Sequence, residues 1–123
     1  MVNIARSKLE WLFGETERII HAARPMPPVL YCPDGSGHYI GVLGRDFAYI
    51  VDNVPELVPA NDIKTVYYSF LRAQRADGGL PVCVSRDGTP AYNTVGSTEF
   101  TDSDASQFIV KIAYDYYKHT GDV

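Results

Sequence analysis

Residues 61–81 read Asn61-Asp62-Ile63-Lys64-Thr65-Val66-Tyr67-Tyr68-Ser69-Phe70-Leu71-Arg72-Ala73-Gln74-Arg75-Ala76-Asp77-Gly78-Gly79-Leu80-Pro81. Ile63, Val66, Tyr67, Phe70, Leu71 and Gln74 occupy one face at the i, i+3, i+4, i+7, i+8 spacing of a helix. That period predicts a helix over 61–75, with Asn61 or Asp62 able to cap its start. Asp77-Gly78-Gly79 then stops it, because glycine takes up the left-handed backbone that ends helices. Leu80 to Ser85 follows as a short predicted strand.

The same period recurs on either side. Ala5, Leu9, Leu12, Phe13, Thr16, Ile20 and Ala23 predict an amphipathic helix over 3–23, with Asn3 as its cap and Gly14 as a weak point inside it. Pro25, Pro27 and Pro28 end that helix. Residues 29–32 can form a short strand, 33–37 a turn, and the glycine-punctuated stretch 38–44 is extended or irregular. Phe47, Ile50, Val51 and Val54 share a face and predict a helix over 46–53, with Asp46 at its favourable N-terminal end. Pro55 and Pro59 bracket the connection onward. Residues 86–90 read as a turn, and from there to Phe100 no period holds, so this is a long structured loop. Phe108, Ile109, Ile112, Ala113, Tyr116 and Tyr117 predict a last helix over 102–119, with Thr101 and Asp104 as a capping pair and Gly121 as its C-terminal stop. The fold class is therefore mainly α, with short β pieces in the connections. It is not a parallel α/β sheet, which would alternate longer strands with helices.

At 123 residues the chain has room for one domain. Lys plus Arg total 11 against 15 Asp plus Glu, a net charge of −4 with no basic run, which argues against nucleic-acid and anionic-membrane partners. No segment approaches a membrane span, and residues 1–8 contain no apolar signal region, so the expected location is cytoplasmic. Cys32 and Cys83 permit one disulfide at most, and two free thiols are expected. Aromatic residues reach 12%, with Tyr at 9. Tyrosines can line a wet apolar cleft or fill a core with their hydroxyls at the surface, and composition leaves both open.

His21, His38 and His119 are far apart and show no metal-ligand spacing, so neither metal nor cofactor is expected. Gly35-Ser36-Gly37 is neither a nucleophile elbow nor a phosphate loop. The informative residues are polar groups at helix ends: Arg45 and Asp46; Asp77; Asp102, Asp104 and Gln107. If the helix ends converge, such groups suit sugar hydroxyls, with aromatic rings taking the sugar's CH faces. The alternative is that Asp46, Asp102 and Asp104 only cap helices.

Three segments together resemble a family. Gly44-Arg45-Asp46-Phe47-Ala48-Tyr49-Ile50 looks like the Arg-Asp segment of the six-hairpin, or (α/α)6-barrel, glycosidases. Gln74-Arg75-Ala76-Asp77-Gly78-Gly79-Leu80-Pro81 is similar to their Q-x-x-D-G-x-x-P segment, at a helix end. Thr101 to Phe108, with Tyr117-Lys118-His119-Thr120-Gly121-Asp122, resembles their aspartate-led helix with its Y-x-x-T-G-D end. The segments come in the family's order and cover roughly residues 38–122. The resemblance implies antiparallel helical hairpins forming part of such a barrel. It implies carbohydrate as the partner, with Arg45 and Asp46 on the sugar and Tyr49, Asp77, Asp104 and Gln107 as lesser contacts. Many members carry tryptophan where this chain has Gly44. About four helices fall short of six hairpins, and in many members the catalytic pair lies further along. The expectation is thus the N-terminal portion of a glycoside hydrolase, silent by itself and able to oligomerise through exposed helix faces. The other expectation is a non-enzymatic helical module that binds carbohydrate or protein.

Overall fold

The computed structural model describes residues 2–24, 31–33, 38–96 and 100–123, the side chains of 2–5 excepted. Among these lie four helices, α1 (Val2–Ala23), α2 (Gly44–Asn53), α3 (Ala60–Arg72) and α4 (Ala105–Thr120). Three strands, β1 (Gly41–Leu43), β2 (Cys83–Ser85) and β3 (Pro90–Ala91), form an antiparallel sheet in that order. The mainly helical class follows, with β structure confined to the connections.

The apolar faces read from the sequence for α2, α3 and α4 make the core, whereas α1 contributes only Ile20 and Ala23 and leaves Leu9, Leu12 and Phe13 exposed. Phe47, Ala48 and Val51 of α2, Ile63, Val66 and Phe70 of α3, and Ile109 and Ile112 of α4 are all buried, together with Val42 and Val84 of the sheet. Each large side chain removed from water this way contributes roughly 1.5–3 kcal/mol.

Side-chain contacts fix the helix directions. Arg45, Tyr49 and Asp52 of α2 meet Asp104, Phe108 and Lys111 respectively, so the two helices run the same way. Lys64, in the second turn of α3, bonds Asp122 beyond the end of α4, so α3 runs opposite to both. Lys111 also holds the buried Asp115 at 2.8 Å, locking the far end of the α2–α4 contact.

β1 feeds straight into α2. Its partners are Gly41↔Ser85, Val42↔Val84 and Leu43↔Cys83, and the Gly44 amide, first in the helix, donates to the Val82 carbonyl at 3.0 Å. A side chain at Gly41 would place Cβ 2.4 Å from the Val84 carbonyl oxygen, so only glycine permits this strand contact.

Several boundaries differ from the periodicity. α2 begins at Gly44 rather than Asp46, because β1 delivers the chain already paired. α3 ends at Arg72 rather than 75; the Arg75 amide turns to the Gly79 carbonyl in a loop where Gly78 has φ 88°. α4 begins at Ala105 rather than 102, since the Asp102 amide is bound to the Tyr92 carbonyl. Pro90–Ala91 pairs with β2 inside what had no period. α1 starts at Val2, so Asn3 lies within it rather than before it. Gly121 does stop α4, with φ 72° and its amide on the Tyr117 carbonyl.

None of the expected acidic caps acts as one. Asp104 makes no capping bond, and α3 follows Pro59 without a side-chain cap. Asp62 is instead buried, accepting from Arg24 Nε at 2.6 Å and from the Tyr31 hydroxyl at 3.1 Å. Tyr31 is not in a strand. It holds φ 68°, a conformation costing a non-glycine residue of order 1 kcal/mol or more, and packs its ring 5.1 Å from Phe47. Residues 29 and 30, and 34–37 of the expected turn, lie outside the described residues, as do Pro25, Pro27 and Pro28.

Asp62 therefore joins the end of α1 to α3. Asp62→Ala strands Arg24 and the Tyr31 hydroxyl and is expected to cost about 2 kcal/mol in denaturant unfolding. Burial, then the Asp62 charge, pushes the Tyr31 hydroxyl far above its ordinary pKa of 10.0. The fold thus favours the protonated phenol: its stabilisation is complete below pH 10 and is lost as pH rises beyond it. Unfolding curves at rising alkaline pH should show this decline in the wild type and a shallower one in Tyr31→Phe.

Candidate functional site

The parallel course of α2 and α4 brings their N-termini side by side. In α2 the Gly44 amide is taken by Val82, while helix geometry leaves the Arg45 and Asp46 amides without an intrahelical acceptor. These amides and the helix dipoles make the rim locally positive, which suits the carboxylates placed there.

Between the two starts lies a cavity of about 100 Å³, lined by Gly44, Arg45, Asp46, Thr94, Asp102, Asp104 and Phe108, among others. The Arg45 guanidinium pairs with the Asp104 carboxylate and sits 5.6 Å over the Phe108 ring. Tyr49, one turn along α2, packs its ring with the centroid 5.6 Å from that of Phe108. Asp46 is exposed and makes no hydrogen bond to another described side chain. Asp102 is half-buried, its backbone fixed by Tyr92.

Tyr92 ties the rim to α3. Its hydroxyl donates to the Ala73 carbonyl at 2.7 Å, and Arg75 stacks 5.5 Å over its ring. The buried Asn93 then shapes the loop carrying Thr94, donating to the Phe100 carbonyl at 2.8 Å and accepting from the Val95 amide at 3.2 Å.

The sequence-named residues divide. Arg45, Asp46 and Asp104 line the cavity and Tyr49 stands beside it. Asp77 does not line it: its carboxylate accepts from the Gly79 amide at 3.0 Å and from Arg75 at 2.7 Å, which closes the turn after α3. Gln107 is exposed on α4 and also lies outside the lining. Thr94 and Phe108 line it without having been singled out. Phe108 carried only the signal of a core helix position, and Thr94 carried none.

The surroundings of Gly44 leave no room for a bulky side chain such as tryptophan. A Cβ there would lie 3.1 Å from Ile109 Cδ1 and 3.5 Å from the Phe70 ring, so those two side chains already fill the space. A wider cleft of about 450 Å³ runs along α3 and the β2–β3 hairpin, past Thr65, Ser69, Arg72 and Tyr92, and shares no lining residue with the rim cavity. Among the described residues no group of three or more His, Cys, Asp and Glu side chains could hold a metal ion. Cys32 and Cys83 are free thiols, as expected. No described helix is long and apolar enough to cross a membrane.

No protein-family model, curated protein or solved structure matches the chain. The rim therefore has to be interpreted from its own chemistry. It offers two carboxylates, an Arg–Asp pair, free helix-start amides and two adjacent rings. That is an array of hydrogen-bond donors and acceptors beside an aromatic surface.

Gly44→Ala is expected to cost at most about 1 kcal/mol, because the Ile109 methyl can yield, whereas Gly44→Trp should cost about 3 kcal/mol or prevent folding. Denaturant midpoints of the two variants decide this.

Proposed function

We propose that the rim at the starts of α2 and α4 binds carbohydrate, and that the chain is the N-terminal portion of a six-hairpin glycosidase. The observation that supports this is the convergence of Arg45 and Asp46 with Asp102 and Asp104, from segments more than fifty residues apart, around one cavity. Vicinal sugar hydroxyls are donors and acceptors at fixed spacing. Asp46 and Asp102 can accept from them, and the Arg45 guanidinium and the α2 amides can donate. The Tyr49–Phe108 pair offers an apolar patch for a sugar's CH face.

The helix arrangement is compatible with the same reading. α2 and α4 are parallel neighbours with α3 antiparallel beside α4, the alternation that stacked helical hairpins need. A layer of parallel helices with their N-termini at one end concentrates polar groups at that end.

This chain by itself is catalytically silent. Glycoside hydrolysis needs two carboxyl groups on either side of the scissile bond, about 5–5.5 Å apart for retention or about 6.5–9.5 Å for inversion. Of the carboxylates here, Asp104 is held by Arg45. Asp46 and Asp102 serve as hydroxyl acceptors, and the catalytic pair would come from elsewhere in a larger barrel.

A second reading is a binding module that never hydrolyses. The cavity size favours it: about 100 Å³ is well under the roughly 300–1,000 Å³ of pockets that enclose a ligand, so the rim contacts an edge of a sugar.

Saturation-transfer NMR with a panel of oligosaccharides tests the site. Binding should fall at least roughly tenfold in Asp46→Ala, the loss of one charged hydrogen bond, and stay unchanged in Arg72→Ala, which alters only the wider cleft. The reverse pattern would move the site to that cleft. Hydrolysis of any glycoside by the purified chain would refute the silent-portion reading while leaving the rim in place.

A further inference from the structure

Among the described side chains, α1 is anchored only at its C-terminal end. Ile20 and Ala23 are buried in the core and the Ala23 carbonyl accepts from the Cys32 amide. Further back along the same stripe the apolar side chains face solvent: Leu9 is 55%, Leu12 52% and Phe13 73% exposed. Single exposed apolar residues are ordinary, but a continuous helical stripe of them marks a contact surface.

The charges beside the stripe specify what fits it. At 100° per residue, Arg6 and Glu17 lie together on one flank, about 80–100° from the stripe's centre. Lys8 and Glu15 lie together on the opposite flank at a similar angle. Each flank thus carries a cation near the start of the helix and an anion two to three turns later.

Two identical helices packed antiparallel bring like flanks together, whereas parallel packing brings opposite flanks together. In the antiparallel register centred between Trp11 and Leu12, Arg6 meets the partner's Glu17 and Lys8 meets the partner's Glu15. Two-fold symmetry repeats both pairs. The apolar centre is then Leu9, Leu12 and Phe13 from each copy. Parallel packing would instead set Arg6 near the partner's Lys8 and Glu15 near the partner's Glu17, which repels at both ends.

We infer that α1 is a self-association surface, occupied by α1 of a second copy in antiparallel orientation. The existing contacts of Arg6 with Glu10 and of Arg18 with Glu15 are exposed pairs within one helix. Such pairs are weak enough to be shared or exchanged on docking. The surface is separate from the sugar rim, so either assignment can fail without the other.

Sedimentation equilibrium on the chain tests this, with far-UV circular dichroism as a folding control. The wild type should dimerise reversibly. Lys8→Glu sets like charges opposite each other twice and should weaken the dimer roughly tenfold or more. Lys8→Glu combined with Glu15→Lys restores both pairs and should recover the wild-type constant. Leu12→Ser should give a monomer of unchanged helicity. A wild type that stays monomeric at about 100 µM overturns the inference. So does a Lys8→Glu chain that associates more tightly, the signature of parallel packing. The inference also fails if lipid vesicles, or a segment of a longer chain supplied in trans, cover α1 while the protein stays monomeric.

Discussion

The structure depends on the space that Gly44 leaves empty. The first residue of α2 has no side chain, and into that gap come the Phe70 ring of α3 and the Ile109 side chain of α4. Three helices therefore meet at the point where β1 turns into α2. Phe47, buried one turn later, continues the same contact. Move any of these and α2 can no longer lie close along α4. The polar groups at the two helix starts would then separate, since only this packing and the Arg45–Asp104 pair hold them together.

Ion pairs reinforce this frame at its margins rather than at its centre. Asp62 with Arg24 and Tyr31, Lys111 between Asp52 and Asp115, and Lys64 with Asp122 each fasten one helix end to another segment. Most of these groups are partly exposed, so their individual contributions are small. Asp62 and Asp115 are the exceptions: both carboxylates are buried, so removing a partner leaves a buried charge unanswered.

Helical periodicity is enough to locate the four described helices, because an apolar face every three to four residues leaves a strong mark in the sequence. It also placed Arg45, Asp46 and Asp104 at helix starts, where they stand. What it could not reveal was the partner of each carboxylate. Asp62 and Asp104 look like caps in sequence, since an acidic residue at a helix start is the commonest cap pattern. Their actual partners, Arg24 and Arg45, lie 38 and 59 positions away. Asp77 sits by a helix end like the site carboxylates, but it accepts from the Gly79 amide two residues on. The short β3 strand escaped for a similar reason: two residues are too few to show a period, and pairing with β2 alone defines them.

The direct passage from β1 into α2 has an entropic consequence. Arg45 and Asp46 are carried by backbone already fixed on one side by strand pairing and on the other by the first helical turn. A ligand at the rim need not order a loop to bring them into position, so only side-chain rotamers are lost on binding. Selectivity at such a site comes from mismatch rather than from closure. If the rim binds sugars as proposed, hydroxyls that do not match the spacing of these rigidly mounted groups would leave them unsatisfied, with no loop to shift and accommodate them.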